Sequence, residues 1–414
     1  MRQPSPPEPA PRPGPLHGIK VVEIASIVLG PLTTQYLGDM GADVIKIEPP
    51  EGDLTRSLGP QRHAGMSAVF INCNRNKRSV VLDLRQAEHR DKLHGIVAGA
   101  DVVVHSIRTQ AAARMGIAYA TLSALNPRLV YCHLKGFSDA GAYAGKPAYD
   151  DVIQALSGLA SLQTGLVGEP RYMPTIFADK VTAVHAAYAV MLALFHRERT
   201  GRGQEVVLPM LEAMTAFNNV EHLWGATFEP PIAAMGYETI VKAARKPYAT
   251  RDGHVAFLPY TDAHWLKFFQ ALGRTELMQD ERFCNYPARQ KHFQAVWAFV
   301  AEALAGKTTA EWLTILGEEV PIAVVNSLED LRSDPHLESV GFWQLREHPT
   351  EGLLRVPCSP FQLSDSPAAL RRLAPLLGEH TEEVLREFGR SRSWNDAPRH
   401  PRSPATGAQS HPLA

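Results

Sequence analysis

The clearest candidate for chemistry in this sequence is Asp179, in the stretch PTIFADKVTAVHAAYAVMLALF at residues 174–195. It is the one acid of that stretch and precedes a long apolar run. One interpretation is a helix cap, because an Asp carboxylate accepts backbone N–H bonds at a helix start. The other is a nucleophile that the N–H groups and dipole of the helix keep ionised. The two roles are compatible, and spacing alone favours the cap.

Other catalytic patterns are incomplete. The turn SIVLGP at residues 26–31 lacks the glycines of GxGxxG, which disfavours a nicotinamide dinucleotide site although Glu48 ends the second strand. The 17 histidines form no HxH or HExxH motif, so no metal site is predicted. Cys132 lies inside an apolar strand, which indicates an inert core thiol, and His133 beside it is interpreted as structural.

Composition excludes several classes of partner. The chain has 414 residues, with 42 basic and 43 acidic side chains, so it has no charge excess that would attract nucleic acid or an anionic membrane surface. Its four cysteines are scattered, which is typical of a reducing cytoplasm. The apolar run at residues 181–195 carries no charge, but it is shorter than the roughly 20 residues of a membrane span. The sequence therefore predicts a soluble cytoplasmic protein.

The elements that must position Asp179 form an alternating pattern. β-Branched runs such as IKVVEIA, DVIKIE, SVVLDL, DVVVH and RLVYCHLKG alternate with helical segments, one of them at about residues 85–97. This pattern is typical of an α/β fold with a parallel sheet covered on both faces. The helix after Asp179 is apolar almost all round, which predicts a core helix, and Arg197, Arg199 and Gly201 mark its end.

The composition changes along the chain and suggests domain boundaries. Residues 221–320 are rich in helical, aromatic segments and contain a strand pair in YATRDGHVAFLPY, which predicts a smaller α+β domain. Residues 18–220 and 321–390 are assigned to the large domain. Residues 1–17 and 391–414 are predicted to be disordered tails, and the first of them contains seven prolines.

Several longer segments resemble class III CoA-transferases, the family of formyl-CoA transferase and carnitine CoA-transferase. They include GIKVVEIASIVLGPLTTQYLGDMGADVIKIEPPEGDLTR, NRNKRSVVLDLR, FADKVTAVHAAYAVMLALFHRERTGRGQEVVL, DPHLESVGF and APLLGEHTEEVL. The resemblance covers residues 18–389. It implies a Rossmann-like large domain, a smaller domain and an interlaced homodimer. It also implies an acyl-CoA donor and a carboxylic acid acceptor, with coenzyme A as part of the substrate and no tightly bound cofactor.

The resemblance makes Asp179 the nucleophile of a covalent mechanism. Its carboxylate would attack the thioester to give an aspartyl anhydride, which the CoA thiolate would convert into an aspartyl-CoA thioester. The related α-methylacyl-CoA racemases carry a His thirty residues before this Asp, where this chain has Tyr149. A Tyr with a pKa near 10 is a poor base at neutral pH, which favours transfer over racemisation.

The resemblance also implies CoA-binding positions, but this chain does not have the family's residue at all of them. They fall on Val28, Leu29, Leu84, Arg85, Ser106, Ile107, Arg108, Arg114, Lys146 and Tyr149. Ser106 stands where the family has Asn. Val28 and Leu29 stand where formyl-CoA transferase has a Gln, and Pro49 stands where that enzyme has an Arg. The glycine run of formyl-CoA transferase is missing, so formyl-CoA and oxalate are not implied. Lys242, Arg245 and Lys246 are candidates to meet an acceptor carboxylate.

Two alternatives remain open at this stage. One is a 2-methylacyl-CoA racemase-like isomerase. The other is a CoA-binding protein without turnover, against which the intact Asp179 argues. The sequence does not name the acyl donor or the acceptor acid.

Overall fold

The structure is a computed structural model that describes residues 13–242 and 245–389. Its main sheet has six parallel strands in the order β3-β2-β1-β4-β5-β6. The strands are β1 (Lys20–Ile24), β2 (Asp43–Glu48), β3 (Lys77–Val81), β4 (Val102–His105), β5 (Val130–Lys135) and β6 (Gln204–Pro209). This order reverses between β1 and β4, as in Rossmann-type folds. The predicted α/β class and parallel sheet are confirmed.

Ten helices accompany the main sheet along the chain as far as residue 222. They are α1 (Leu29–Asp39), α2 (Ala68–Cys73), α3 (Ala87–Ala98), α4 (Thr109–Arg114), α5 (Tyr119–Leu125), α6 (Asp150–Leu156), α7 (Leu159–Leu162), α8 (Thr164–Val167), α9 (Phe177–Thr200) and α10 (Met210–His222). A 3₁₀ turn spans Leu54–Ser57. The helix predicted at about residues 85–97 is α3.

The two faces of the main sheet bury different helices because successive residues of a strand point to opposite sides. On β1, Val21 belongs to the cluster that packs α1 and α9, whereas Val22 belongs to the cluster that packs α3. The strands are buried on both faces, which explains their continuous apolar sequences. The sheet therefore forms a rigid support with α1 and α9 on the same side.

A second, antiparallel sheet lies in the later part of the chain. It contains β7 (Tyr248–Ala249), β8 (His254–Phe257) and β9 (Ile322–Val324), so the predicted strand pair is confirmed. β9 pairs with β8 although it lies beyond residue 320, the predicted end of the small domain. The accompanying helices are α11 (Glu238–Val241), α12 (Asp262–Leu272), α13 (Tyr286–Lys291), α14 (Phe293–Leu304) and α15 (Thr309–Leu316), with 3₁₀ turns at Trp224–Thr227 and Thr275–Gln279.

The last described segment returns to the main sheet. It comprises a 3₁₀ turn (Asp330–Arg332), α16 (Pro335–Ser339), the hairpin β10 (Trp343–His348) and β11 (Gly352–Pro357), and α17 (Thr381–Gly389). α17 packs against α3 and β3, where Val384 joins their apolar cluster.

The predicted tails lie mostly outside the described residues. Residues 1–12 and 390–414 are not described, but residues 13–17 are, and they do not match the prediction of a disordered tail. The backbone N–H of Leu16 donates to Met40 O (2.9 Å), and the Leu16 side chain is buried. The first ordered residues therefore pack against the end of α1.

α9 is a core helix, as predicted, but one of its sides is exposed. It ends at Gly201, whose φ of 74° gives the expected left-handed cap. Among the residues that the structure describes, α9 alone is long and apolar enough to cross a membrane, and it packs on α1, α6 and β5 as a core helix. One side remains exposed and carries Val184, Tyr188, Leu192 and Phe195, which we call the exposed face of α9.

Candidate active site

Asp179 is the third residue of α9 and not its cap. The N-cap position is held by Ile176, which makes no side-chain cap bond. The Asp179 side chain is only 7% exposed and accepts a hydrogen bond from the backbone N–H of Leu29, at the start of α1. The prediction of a cap is therefore wrong, because the carboxylate turns away from its own helix and toward the β1–α1 loop.

The cap of α9 comes from Asp150, a residue that the sequence did not single out. Asp150 Oδ1 accepts the backbone N–H of Asp179 at 3.0 Å, and its Oδ2 accepts Gln154 Nε2 at 2.6 Å. Gln154 is buried and also accepts the backbone N–H of Met173 at 2.9 Å. These bonds fix the approach to α9 against α6. The only sequence signal was an acid at the start of a helix, in PAYDD.

The burial of Asp179 decides its protonation. Desolvation, followed by the nearby charge of Asp150, raises its pKa to about 7, while the Leu29 N–H acts in the opposite direction. The sequence predicted a carboxylate that the helix start keeps ionised. In the structure burial outweighs that effect, since the carboxylate accepts one backbone N–H in a nearly dry site. A carboxylate of raised pKa is also more basic and, once ionised, a stronger nucleophile.

The β1–α1 loop that presents Leu29 is tightly folded. Ile27 has φ 71°, a left-handed conformation that is unfavourable for a β-branched residue. A Cβ on Gly30 would lie 2.2 Å from the Ala25 side chain, so only glycine fits there. Val28 and Leu29, both predicted to meet CoA, have buried side chains. The atom that Leu29 offers to the site is its backbone N–H.

The predicted CoA loop at the end of β4 is held by two histidines. Ile107 donates its N–H to His105 Nδ1 (3.2 Å), and His133 Nε2 donates to Ile107 O (2.8 Å). The two rings stack with centroids 4.0 Å apart. Burial lowers the pKa of His105 well below its usual value and that of His133 to about 4, so both rings are neutral. The structural interpretation of His133 is thus confirmed, and Ser106 and Arg108 flank the held residue with exposed side chains.

The other predicted CoA positions differ in accessibility. Leu84 is buried in the apolar cluster around α3, so its side chain cannot meet a ligand. The Arg85 guanidinium is exposed and pairs with Asp83 (2.7 Å). Arg114 ends α4 and is exposed, and Lys146 lies over the Tyr143 ring at 4.4 Å. Tyr149 precedes α6, directly beside Asp150, with its side chain 65% exposed.

The parallel topology places the loops after β1, β3 and β4 at one edge of the sheet. The loops with Leu29 and with Ile107 follow the two strands between which the strand order reverses. Ligands of open α/β sheets bind in the crevice at this position. The edge combines the buried Asp179 carboxylate, a backbone N–H directed at it, and exposed Arg108 and Arg114 suited to phosphate groups.

Lys242 and Arg245 belong to the region predicted to meet an acceptor carboxylate, whereas Cys132 was predicted to be an inert core thiol. Lys242 pairs with Glu238 (3.2 Å), whereas Arg245 lines a cleft with Tyr237, Tyr260 and other aromatic residues. Cys132 is fully buried, and burial raises the pKa of its thiol to about 12, as expected of a core residue. Within residues 13–242 and 245–389 no group of three or more His, Cys, Asp or Glu side chains is placed to hold a metal ion.

Comparisons with known proteins agree with this arrangement. The model of CoA-transferase family III matches residues 16–381. The succinate–glutarate CoA-transferase of Agrobacterium fabrum is 32% identical over 388 residues, 90% of this chain and 96% of that protein. A formyl-CoA:oxalate CoA-transferase of Escherichia coli is 30% identical, with 91% and 96% of the two chains covered.

Among solved structures, a CAIB/BAIF family protein from Brucella suis superposes with a TM-score of 0.78 and 32% identity, over 91% of this chain and all of that one. The family match spans both sheets as well as the loops that surround Asp179. The chain therefore belongs to CoA-transferase family III and is a CoA-transferase.

Proposed function

We propose that the protein transfers coenzyme A from an acyl-CoA donor to a carboxylic acid acceptor through covalent intermediates on Asp179. The observation that carries this proposal is the Asp179 carboxylate, which is buried, has a pKa raised to about 7 and accepts the Leu29 N–H at the crevice of the sheet. Such a group is ionised in mildly alkaline solution and is shielded from water. Shielding matters because water would hydrolyse an acylated carboxylate.

The reaction consists of four balanced acyl transfers. Asp179 attacks the thioester carbonyl, a C–O bond forms and the C–S bond breaks, so that CoA leaves as a thiolate and a mixed anhydride of Asp179 and the donor acid remains. The thiolate then attacks the aspartyl carbonyl and expels the donor acid, which leaves an aspartyl-CoA thioester. The acceptor carboxylate displaces the thiolate to form a second anhydride. Attack of the thiolate on the acceptor acyl group gives the new thioester and restores Asp179.

The Leu29 N–H has a defined part in these steps. Each attack on the aspartyl carbonyl places negative charge on an oxygen of the Asp179 side chain. A backbone N–H already directed at that carboxyl group stabilises this charge without reorganisation. Asp150 supports the geometry from the other side, because it holds the Asp179 backbone N–H.

Tyr149 separates this proposal from the isomerase alternative. A racemase needs two groups that exchange protons near neutral pH, and Tyr149 occupies the position of the family's second base. Its exposed ring directly precedes α6. Transfer is therefore favoured over racemisation.

The substrates are proposed to be short dicarboxylic acids and their CoA thioesters. Similar proteins are named for succinate and glutarate, for mesaconate and for malate. The CoA part is assigned to the exposed cations at the sheet edge, Arg85, Arg108, Arg114 and Lys146, and to the backbone of the 106–108 loop. Arg245 in its aromatic cleft is the proposed partner of a distal carboxylate. A cytoplasmic location fits the supply of acyl-CoA.

We also propose an interlaced homodimer, in which a second copy of the chain covers the exposed face of α9. Val184, Tyr188, Leu192 and Phe195 lie on that face, and Phe217 and Val220 of α10 are exposed as well. Large apolar side chains gathered on one surface are typical of an interface. The resemblance supplies the interlaced topology, and the division into a large and a small domain belongs to the same proposal.

Trapping of the intermediate tests the proposed function. The protein is incubated with succinyl-CoA and hydroxylamine without an acceptor, and its peptides are mapped by mass spectrometry. Hydroxylamine converts an aspartyl anhydride or thioester into a hydroxamate, so we expect a hydroxamate on Asp179 that depends on succinyl-CoA. Glutaryl-CoA and acetyl-CoA serve as a dicarboxylic and a monocarboxylic comparison. Turnover without any adduct, or an adduct on Asp150 or Cys132, would contradict the mechanism.

Subunit exchange tests the dimer. Two differently tagged preparations, each folded separately, are mixed at micromolar concentration and examined by native mass spectrometry. Because interlaced chains cannot separate without unfolding, we expect no mixed dimers over a day. Joint unfolding and refolding should give mixed dimers and provides the control. Fast exchange in native buffer, or a monomer, would show that the subunits are not interlaced.

A further inference from the structure

Four charged side chains converge beneath the β1–α1 loop, outside the catalytic set described above. They are Glu23 on β1, Lys46 on β2, Asp53 in the loop that follows β2, and Lys77 on β3. Lys46 Nζ lies 2.7 Å from Glu23 Oε1 and 2.8 Å from Asp53 Oδ2, and Lys77 Nζ lies 2.8 Å from Glu23 Oε2. All four side chains are buried, at 0–1% exposure. We call them the buried quartet.

The quartet is charged at neutral pH. Burial raises the pKa of the two acids, but the neighbouring lysines lower the pKa of both Glu23 and Asp53 below the usual values. Burial lowers the pKa of Lys77 to about 8, whereas the adjacent acids raise that of Lys46. Buried ion pairs are seldom retained for stability alone, since apolar side chains of the same size often serve as well.

The quartet also binds the backbone of the β1–α1 loop at three points. Lys46 Nζ donates to Ala25 O (3.0 Å), and Asp53 Oδ1 accepts the N–H of Ile27 (3.2 Å). Lys77 Nζ donates to Pro31 O in the first turn of α1 (2.7 Å). The bonded backbone groups therefore lie on both sides of Leu29, whose N–H reaches Asp179. The left-handed Ile27 is held by one of these bonds.

We propose that the buried quartet is the positioning device for the Leu29 N–H at Asp179. Its ion pairs fix the loop in the conformation that directs this donor at the developing aspartyl oxyanion. This role rests on the proposed function, because it matters for catalysis only if Asp179 becomes acylated. None of the four residues touches the reacting atoms, so they act through Leu29.

A pair of double variants tests the device without leaving an unbalanced charge. Lys46→Met/Asp53→Leu removes one cation and one anion together with the bonds to Ala25 O and Ile27 N–H. Glu23 keeps Lys77 and the Thr34 hydroxyl (2.5 Å), so the rest of the quartet stays paired. Lys46→Met/Asp53→Asn is the matched comparison, because the Asn oxygen can still accept the Ile27 N–H.

The readout is the rate of hydroxamate formation on Asp179 in a single turnover with succinyl-CoA, between pH 5 and 9. Asp150 on α6 is the charged group that faces Asp179 and raises its pKa, whereas the Leu29 N–H lowers that pKa. In the Asp53→Leu double variant we expect the plateau rate to fall by up to about 10²-fold. The acid limb, which is the part of the pH profile where the rate falls with decreasing pH, should move to higher pH. The KM for succinyl-CoA should change little. The plateau rate and the acid limb of the Asp53→Asn double variant should lie closer to those of the wild type.

A second buried pair on α1 controls for loss of stability. Asp39 at the end of the helix binds Arg75 at 2.7 and 2.9 Å, far along the helix from Leu29. Arg75→Met/Asp39→Leu should lower the thermal midpoint but leave the acid limb in place. If the folded Lys46→Met/Asp53→Leu protein kept the wild-type rate and acid limb, the quartet would be structural only. Absence of any hydroxamate in the wild type would instead refute the nucleophile itself.

A charge-neutral variant provides an independent test should the double variants fail to fold. Gly30→Ala places a Cβ against the Ala25 side chain and must displace the loop. The same loss of rate and shift of the acid limb are expected. Gly30→Ala/Ala25→Gly removes the clash and should restore both. An unchanged profile for a folded Gly30→Ala protein would contradict the link between loop position and Asp179.

Discussion

Replacing Asp179 with Asn is expected to reduce CoA transfer by at least about 10⁴-fold, because an amide does not attack a thioester. The folded protein should persist. The cap of α9 is Asp150, which binds the backbone of residue 179 and not its side chain. The Asn oxygen can still accept the Leu29 N–H. Single-turnover assays with succinyl-CoA measure the loss.

The same variant should be more stable than the wild type above pH 7. The pKa of Asp179 is raised in the folded protein from 3.8 to about 7, so folding must bury a charge whenever the pH exceeds the folded value. In the wild type, the loss of folding stability caused by burying Asp179 is absent below about pH 4, grows up to pH 7 and is constant above pH 7. Its upper limit is about 4 kcal/mol. Urea unfolding at pH 4 and pH 8 compares the two proteins.

Asp151→Asn is the matched control for this substitution. Asp151 is the neighbour of Asp150 in the first turn of α6 and is exposed. The Asp151→Asn substitution should leave both the transfer rate and the pH dependence of stability close to those of the wild type. A folded Asp179→Asn protein that transfers CoA at a near-normal rate would show that the nucleophile lies elsewhere.

The transfer rate is expected to fall tenfold for each pH unit below about 7, since only the ionised Asp179 attacks the thioester. At pH 5 the first acyl transfer should therefore be roughly 100-fold slower than its plateau, given the pKa of about 7. Single-turnover measurements avoid a change of rate-limiting step. A flat profile between pH 5 and 8 would contradict a buried carboxylate of raised pKa.

Asp150→Asn should move this acid limb to lower pH. The substitution removes the like charge that raises the pKa of Asp179, and the Asn oxygen can still accept the Asp179 N–H. The shift should be smaller than the whole elevation, because desolvation is its larger cause.

The elements of the main sheet could be predicted because their signals are local. Apolar runs of four to six residues, separated by helical patterns, specify parallel strands covered on both faces. The short strand β9 gave no such signal. Its three residues, IAV, resemble the apolar runs of the main sheet, and only its pairing with β8 assigns it to the other sheet.

The chemistry of the site was harder to predict because it depends on contacts between distant elements. Asp179 was identified by its sequence setting, yet its burial, its raised pKa and its partner Asp150 follow from the packing of α9 on α6 and α1. A cap was the natural local interpretation, since sequence shows an acid at a helix start but not the direction of its side chain. Likewise, Leu84 lies at a predicted CoA position but is buried by α3 packing.

The donor at Leu29 belongs to the backbone, and this has a consequence for how the protein can evolve. Every residue type except proline carries the same N–H. A side-chain replacement at position 29 therefore affects packing but leaves the N–H donor in place. Proline would delete it, but the preceding Val28 has φ −121° and ψ −51°, a conformation that a following proline disfavours. Most substitutions at position 29 would therefore leave the proposed donor in place, and its presence in a relative has to be established from loop geometry rather than from residue identity.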